Sequence, residues 1–469
     1  MANSINNNSS NSYHFIGIGG IGMSALASML LRQGNKVSGS DIASSPTIDD
    51  LIKKGAIINI GHSSENINGE PVIVYSSAIS ENNPEIIEAR KRGLQIIQRA
   101  ELLSRFFNIK KGIAIAGTHG KTTTTTLMTL ILKHAEFSPD AFIGGDVTLL
   151  NGNIVHGGGD YVVAEADESD GSLLNLKPLY SIITNIEGEH FGYFKDVESI
   201  IEVFRKFINQ TQNTGAVYLN IDDINTSLLY SEYKNKKIAY SIENSEADIF
   251  TSNIRLKSFG SEFTVVFRGR ELGKMELNIP GIHNISNSLG VIAIATDIGI
   301  DFKIIKEALK DFKGVKRRFE LKADIENILI IDDYAHHPSE IAATINSAKS
   351  IEGSKRIIGI FQPHRFSRVK YLRKEFAPAF KGLDMLILTD IYSACEKQIE
   401  GIDGETILKE VISSGLKNVF YVPDVFDIPE QICDKLYPGD VVIAMGAGNI
   451  TKISDILAGK LKARIAEVR

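Results

Sequence analysis

Cysteine is nearly absent from this chain. The two present, Cys395 and Cys433, stand far apart with no partners at metal spacing, which excludes a disulfide framework and fits a reducing compartment. There is also no basic run. The 51 Lys and Arg are scattered among 57 Asp and Glu, for a formal charge of -6, so nothing could track a phosphate backbone and nucleic acid is not an expected partner. No apolar stretch is long enough to cross a bilayer, and the N-terminus lacks the charged, apolar, small-residue order of a signal peptide. Membrane insertion is not expected, and the cytoplasm is the expected address. Proline is sparse, 12 residues against 40 Gly, while 43% of residues are hydrophobic and 23% charged. That balance describes a globular α/β protein, neither fibrous nor disordered.

At 469 residues the chain has room for roughly three domains of ordinary length. Residues 1–12 form a polar Asn/Ser tail that cannot bury apolar surface and is expected to be disordered. Three times thereafter the sequence restarts with an apolar strand, a Gly-rich or polar turn and a helix-like stretch. YHFIGIGGIGMSALASMLLRQG followed by KVSGSD opens the first unit, 13–109. GIAIAGTHGKTTTTTLMTLILKHA opens the second, 110–314, in which Ala216 to Leu277 reads as an antiparallel appendage. The third, 315–469, carries strands at NILIIDDY, RIIGIFQP, DMLILTDI and DVVIAMGAG. Continuous apolar strands alternating with helices predict three α/β domains, each on a mainly parallel sheet.

GTHGKTT, at Gly117, Thr118, His119, Gly120, Lys121, Thr122 and Thr123, lies between a predicted strand and a predicted helix. Such a loop offers backbone N–H groups and a helix N-terminus to phosphate oxygens. Lys121 can reach the β- and γ-phosphates of ATP, and the Thr122 hydroxyl can ligate magnesium. Ile115 stands where the general phosphate loop has its first glycine, so this is a shorter variant. A second magnesium ligand is expected at a neighbouring strand end. In YVVAEADESD that is Glu165, with Asp167 and Glu168 as alternatives, and His190 of ITNIEGEHFGYF is placed to complete the set.

The GIGGIG turn, with Gly17, Gly19, Gly20 and Gly22, permits close approach of backbone to a diphosphate, and Asp41 ends the next strand, where an acid can accept from a ribose hydroxyl. NAD, FAD and a UDP-sugar all satisfy these two features. In the third unit, IIDDYAHHPSE sets Asp332, Asp333, Tyr334, His336 and His337 at one strand end, and FQPHRFSR sets His364, Arg365 and Arg368 at another. Arginine forks suit carboxylates and phosphoryl oxygens, and a histidine beside them can accept a proton from an amine. Zinc is disfavoured there, because no third ligand or thiol falls nearby in the chain.

Taken in order, GIGGIGMSALA, AGTHGKTTTT, AEADESD, TNIEGEH, GIHNISNS, GVKRRFE, DDYAHHPSE and PHRFSR resemble the Mur ligases, and within them the branch that adds L-alanine to UDP-N-acetylmuramate. The resemblance implies a Rossmann-like first domain, a phosphate-loop ATPase-like second and a Rossmann-like third. It also implies that ATP phosphorylates the lactyl carboxylate and that the amine of L-alanine attacks the acyl phosphate, in peptidoglycan precursor synthesis. On this reading Gly117 to Thr123 hold ATP, Thr122, Glu165 and His190 bind Mg2+, and His283, Asn284 and Asn287 sit near adenine. Arg318 contacts ATP from the domain junction. Gly17, Gly19, Gly20, Gly22, Met23, Ser24 and Asp41 bind the UDP-sugar, and Tyr334, His336, Arg365 and Arg368 position the acyl phosphate and the amino acid. Lys121 and His190 count with His336 and the two arginines as catalytic. Lys206, beyond His190, receives no role, and the resemblance leaves both a monomer and a dimer open. Two rivals are a ligase that recycles a preformed peptide onto the same sugar nucleotide and a nicotinamide-dependent oxidoreductase suggested by GIGGIG and Asp41 alone.

Overall fold

The structure, a computed structural model, describes residues 11–76, 78–189 and 194–468. Three sheets organise it. The first is fully parallel, with its strands in the order Ile57–Ile60, Lys36–Asp41, Ser12–Ile16, Val72–Tyr75 and Ile96–Gln98. Apolar side chains cover both faces, as a parallel sheet requires. One enclosed carboxylate ties this module together. Glu85 accepts from Ser40 Oγ at 2.6 Å and Asn66 Nδ2 at 2.5 Å, and lies 3.4 Å from His62 Nδ1. Burial pushes its pKa up, but His14, Ser40 and Asn66 outweigh that and hold it at about 2.

The second sheet has ten strands, in the order Arg270–Leu277, Gly260–Phe267, Ile249–Lys257, Lys237–Ser241, Ala216–Asn220, Tyr180–Ile183, Lys111–Ala116, Tyr161–Glu165, Asp140–Val147 and Gly152–Val155. The expected antiparallel appendage from Ala216 to Leu277 is corrected in its first half. Ala216–Asn220 and Lys237–Ser241 pair in parallel within the main sheet, and the helix Ile224–Glu232 crosses between them. The polar run that hid this helix includes its cap, since Asp223 Oδ1 accepts from Thr226 N at 2.8 Å. Only the last three strands form an antiparallel ribbon. Its turn reaches the third module, where Glu352 N donates to Ser258 Oγ at 2.9 Å and Ser350 Oγ to Lys257 O at 3.5 Å. The hairpin of Asp140–Val147 with Gly152–Val155 was not expected, because glycines break its apolar pattern.

The third sheet runs Glu320–Ile325, Ile328–Asp333, Asp440–Met445, Arg356–Phe361, Met385–Leu388 and Val419–Tyr421, with only the first strand antiparallel. Separate apolar clusters cover its two faces.

The helix Lys121–His134 shows how packing overrides propensity. Five consecutive threonines favour strands, yet Thr123, Thr124, Thr125 and Thr126 are buried in this helix. Thr126 Oγ1 donates to Thr122 O at 2.8 Å and Thr129 Oγ1 to Thr125 O at 2.7 Å, so these two hydroxyls are satisfied one turn back, while those of Thr124 and Thr125 are buried without a hydrogen bond. Among the described residues no helix is long and apolar enough to cross a membrane.

Candidate active site

The second and third sheets turn carboxyl strand ends toward one crevice, where open α/β sheets collect ligands. From the central sheet come Gly117 after Ala116, Glu165, and Asn185 after Ile183. From the third come Asp333 and the segment after Phe361. Two glycines of the phosphate loop are dictated by space and torsion. Gly117 has φ 135° and a Cβ there would meet Thr184 Oγ1 at 2.0 Å; Gly120 has φ 82° and its Cβ would meet Asn287 Oδ1 at 2.5 Å. The loop is braced from the neighbouring strand. Thr118 N donates to Asn185 O at 3.0 Å and His119 N to Asn185 Oδ1 at 2.9 Å.

Lys121 Nζ donates to both oxygens of Glu168 at 2.9 Å and to the Gly117 and Thr118 carbonyls at 2.5 and 3.1 Å. Burial pulls its pKa down, but the Glu168 and Asp167 carboxylates outweigh that and raise it. Glu168, an alternative magnesium ligand by sequence, is therefore the lysine's counter-ion here. Glu165 lines the crevice beside Thr122, and Gly144 N donates to it. Burial raises its carboxyl, against hydrogen bonds and the Lys121 charge. The expected third donor, His190, lies outside the described residues. Lys206 is on the exposed face of the helix Val197–Ile208, near Glu202.

A cavity of about 200 Å³ opens beside the loop, lined by Gly120, Thr122, Thr123, His283, Asn284, Asn287 and Arg318, and also by Asp333 and Glu340. Asn284 Nδ2 donates to Pro280 O at 2.7 Å, which fixes its amide, and burial with the Arg318 charge lowers His283 to about 4, leaving a neutral imidazole. Burial pushes Asp333 up to about 6 although Phe319 N and Ala335 N donate to it at 2.8 and 2.7 Å. Arg317 and Arg318 lie 4.8 and 5.2 Å from the Tyr334 ring centroid.

A larger cavity of about 410 Å³ adjoins it and is shared by all three modules. Lys121, Thr122, Glu165, Tyr334, His336, His364, Arg365 and Arg368 line it, and so do Gly22 and Arg99 from the first module. Arg368 Nη2 donates to Glu189 Oε1 at 2.5 Å, and its Nη1 to His364 Nδ1 at 3.1 Å. His336 Nδ1 lies 2.9 Å from Tyr334 O, while its Nε2 lies 3.4 Å from Glu189 Oε1. Burial raises Glu189, but His336 and Arg368 overcome that and hold it well below the usual carboxylate range. Burial and the charge of Arg368 press His364 down to about 3; its ring stacks on Tyr392 at 5.7 Å.

In the first module the glycine turn precedes the helix Ile21–Arg32. Asp41 is engaged by the turn itself: Gly19 N donates to Oδ2 and Ile42 N to Oδ1, both at 2.8 Å. Met23 is buried in the core, and Ser24 is engaged twice within the turn, its hydroxyl donating to Ile21 O at 3.1 Å and its N to Gly20 O at 2.9 Å. Gly17 and Gly20 do not line the crevice; Gly22 does, and a Cβ on it would meet the Arg99 guanidinium at 2.9 Å.

The matches to known proteins follow this three-part division. Residues 12–111 match the Mur ligase family catalytic domain, 115–295 the Mur ligase middle domain and 317–448 the Mur ligase glutamate ligase domain. The chain belongs to the Mur ligase family. A UDP-N-acetylmuramate–L-alanine ligase of Geobacter sulfurreducens is 41% identical over 450 residues, covering 96% of this chain and 97% of that protein. Its namesake from Aquifex aeolicus is 42% identical, covering 94% and 95%. Among solved structures, the UDP-N-acetylmuramate-alanine ligase of Thermotoga maritima superposes with a TM-score of 0.82 at 31% identity, covering 97% of this chain and 99% of that one. A murein peptide ligase from Psychrobacter arcticus gives 0.71 at 25%, covering 96% and 98%.

Several polar residues of this Mur ligase crevice were not singled out by sequence. Glu187 and Glu189 sit inside the quoted TNIEGEH, but nothing in that string shows that they meet His337, His336 and Arg368 of another module. Glu340 carried a local signal, because it forms a capping box with His337 at the start of the helix Pro338–Lys349. It also lies 3.1 Å from His119 Nδ1 and 3.4 Å from Arg318 Nη1. Arg99 had no signal beyond being one arginine among many.

Proposed function

We propose that this chain is an ATP-dependent ligase that joins L-alanine to the lactyl carboxylate of UDP-N-acetylmuramate, releasing ADP and phosphate, as a cytoplasmic step of peptidoglycan precursor synthesis. The observation that carries this reading is the shared crevice: a phosphate loop, a magnesium-type carboxylate and a pair of arginines with a histidine line one cavity, and the diphosphate-type turn of the first module opens into it.

Residues 13–109 bind the UDP-sugar at the turn of Gly17, Gly19, Gly20 and Gly22 with Met23 and Ser24, whose Gly22 end lines the crevice, with Asp41 holding the turn in shape and Arg99 adding a positive charge. Residues 110–314 bind ATP. Its phosphates lie on Gly117 to Thr123, and its adenosine fills the smaller cavity between His283, Asn284, Asn287 and Arg318. Thr122 and Glu165 are adjacent oxygen donors of the kind magnesium prefers. They would hold Mg2+ with His190, and the ion supplies charge neutralisation between the phosphates when bound. Lys121 exchanges part of its contact with Glu168 for the transferring phosphoryl group and stabilises charge there.

Residues 315–469 bring the amino acid. Arg365 and Arg368 present forks to the acyl phosphate and the alanine carboxylate. An amino-acid amine has a solution pKa of about 8 and must lose a proton before it attacks. His336, aimed at the crevice beside Glu189, accepts it. Closure of residues 315–469 over 110–314 keeps water from the acyl phosphate.

The test is ADP release with UDP-N-acetylmuramate across single amino acids and a murein tripeptide. L-Alanine should be the preferred acceptor; preference for the tripeptide would make the chain a recycling ligase. A nicotinamide oxidoreductase leaves the phosphate loop and Lys121 without a task.

A further inference from the structure

Between the phosphate loop and the third module, His119, Glu187 and His337 bring their donor atoms within 4.8 Å of one another. Among the described residues this is the one such group of three. We infer that these three side chains form a tetrahedral site for a zinc-class divalent cation, separate from the oxygen donors proposed for magnesium.

The distances carry the argument. Ligand atoms about 2.0–2.2 Å from a tetrahedral zinc ion stand about 1.63 times that far apart, roughly 3.3–3.6 Å. Glu187 Oε2 lies 3.3 Å from His337 Nδ1 and 3.5 Å from His119 Nε2. Two edges of a tetrahedron are therefore already set. The donor types agree, because two imidazoles and a carboxylate suit zinc and its neighbours, whereas magnesium selects oxygen. The surroundings agree too. His119 Nδ1 lies 3.1 Å from Glu340 Oε1, and a carboxylate on the far nitrogen orients a ring that ligates through Nε2. His337 Nε2 is buried without a partner, which is where the proton of a ring ligating through Nδ1 would sit. Ser339, on the wall of the smaller cavity, now occupies both ring nitrogens, its Oγ 3.2 Å from His119 Nε2 and 2.7 Å from His337 Nδ1 and its N 3.4 Å from His337 Nδ1, and the ion would take the place of these contacts. Zinc is disfavoured on the sequence because the other two ligands, Glu187 and His119, lie 150 and 218 positions from His337; the fold supplies them.

His119 and Glu187 belong to the central module and His337 to the third. An ion held by all three binds the docked arrangement better than the separated one, so ion binding and docking are linked.

The experiment uses the full chain stripped with a chelator, without nucleotide and with excess Mg2+, titrated with Co2+ and then Zn2+. One Co2+ per chain is expected, with the intense visible ligand-field bands of a tetrahedral nitrogen and oxygen site, and Zn2+ should displace it. Glu187→Gln and His337→Ala should each abolish the bands, and Glu340→Gln should weaken Co2+ binding by about 10–100-fold. Unfolding curves without metal establish that each variant folds; should His337→Ala fail, Glu187→Gln alone decides. Absence of stoichiometric binding, octahedral-type weak bands, or bands that persist in a folded Glu187→Gln protein would overturn the site. None of these readouts requires turnover, so they stand or fall apart from the ligase reading.

Discussion

Replacing Lys121 by methionine separates the two tasks this side chain performs. Its ammonium lies 2.9 Å from both Glu168 oxygens, with the lysine side chain 17% and the glutamate 2% exposed. Removing one member of a buried pair takes the opposite charge from the other, at a cost of about 3–5 kcal/mol. Methionine keeps most of the apolar stem, so little of this comes from a cavity. Adding Glu168→Gln removes the carboxylate charge that Lys121 balanced, and the pair should recover about 1–3 kcal/mol of the loss as coupling energy. Catalysis should behave differently. Loss of a cation at the transferring phosphoryl group costs about 10²–10³-fold in turnover, and Glu168→Gln cannot restore it. Denaturant unfolding measures the first effect, and a coupled assay for ADP release the second. A double variant no more stable than Lys121→Met would refute the buried-pair argument, and turnover within about tenfold of the parent would refute the phosphoryl role.

Gly120→Ala forces a side chain into φ 82° with its Cβ 2.5 Å from Asn287 Oδ1; it should cost about 1–3 kcal/mol and, by displacing the loop by about 1 Å, roughly 10²-fold in kcat/KM, read by steady-state kinetics. Arg368→Ala should lower peptide formation about 10²–10³-fold, and Arg368→Lys should not rescue it, because one ammonium cannot replace contacts to both Glu189 and His364; full activity of the lysine variant would refute the fork. Glu85 has its pKa lowered from 4.5 to about 2, so it contributes stability that is present above about 4.5 and lost as pH falls toward 2, on the order of 3 kcal/mol. Acid unfolding of Glu85→Gln should therefore be flatter over that interval, and a slope equal to that of the parent would count against the buried network.

Features that depend on contiguous residues were legible in the sequence. The phosphate loop declares itself because its glycines, lysine and threonine serve neighbouring backbone positions, and the parallel strands because each buries an unbroken apolar run. What escaped depends on juxtaposition. Glu189 and Arg368 are 179 positions apart, yet form one of the tightest ion pairs in the crevice. The strands Asp140–Val147 and Glu320–Ile325 escaped for another reason: each sits at or near a sheet margin, where glycine and polar residues blur the alternation that marks a strand. The helix Ile224–Glu232 is short and polar enough to pass for a loop.

The ribbon turn at Lys257 and Ser258 gives the third module a second point of support, besides the chain passing through Val315 to Phe319. Two supports define a line. With the crevice contacts of Glu187, Glu189 and His119 parted, a body still held at those two places retains one easy rotation, about the axis through both, so the terminal module would swing like a door on that axis and return its arginines and histidines to the same register with the phosphate loop each time it shuts.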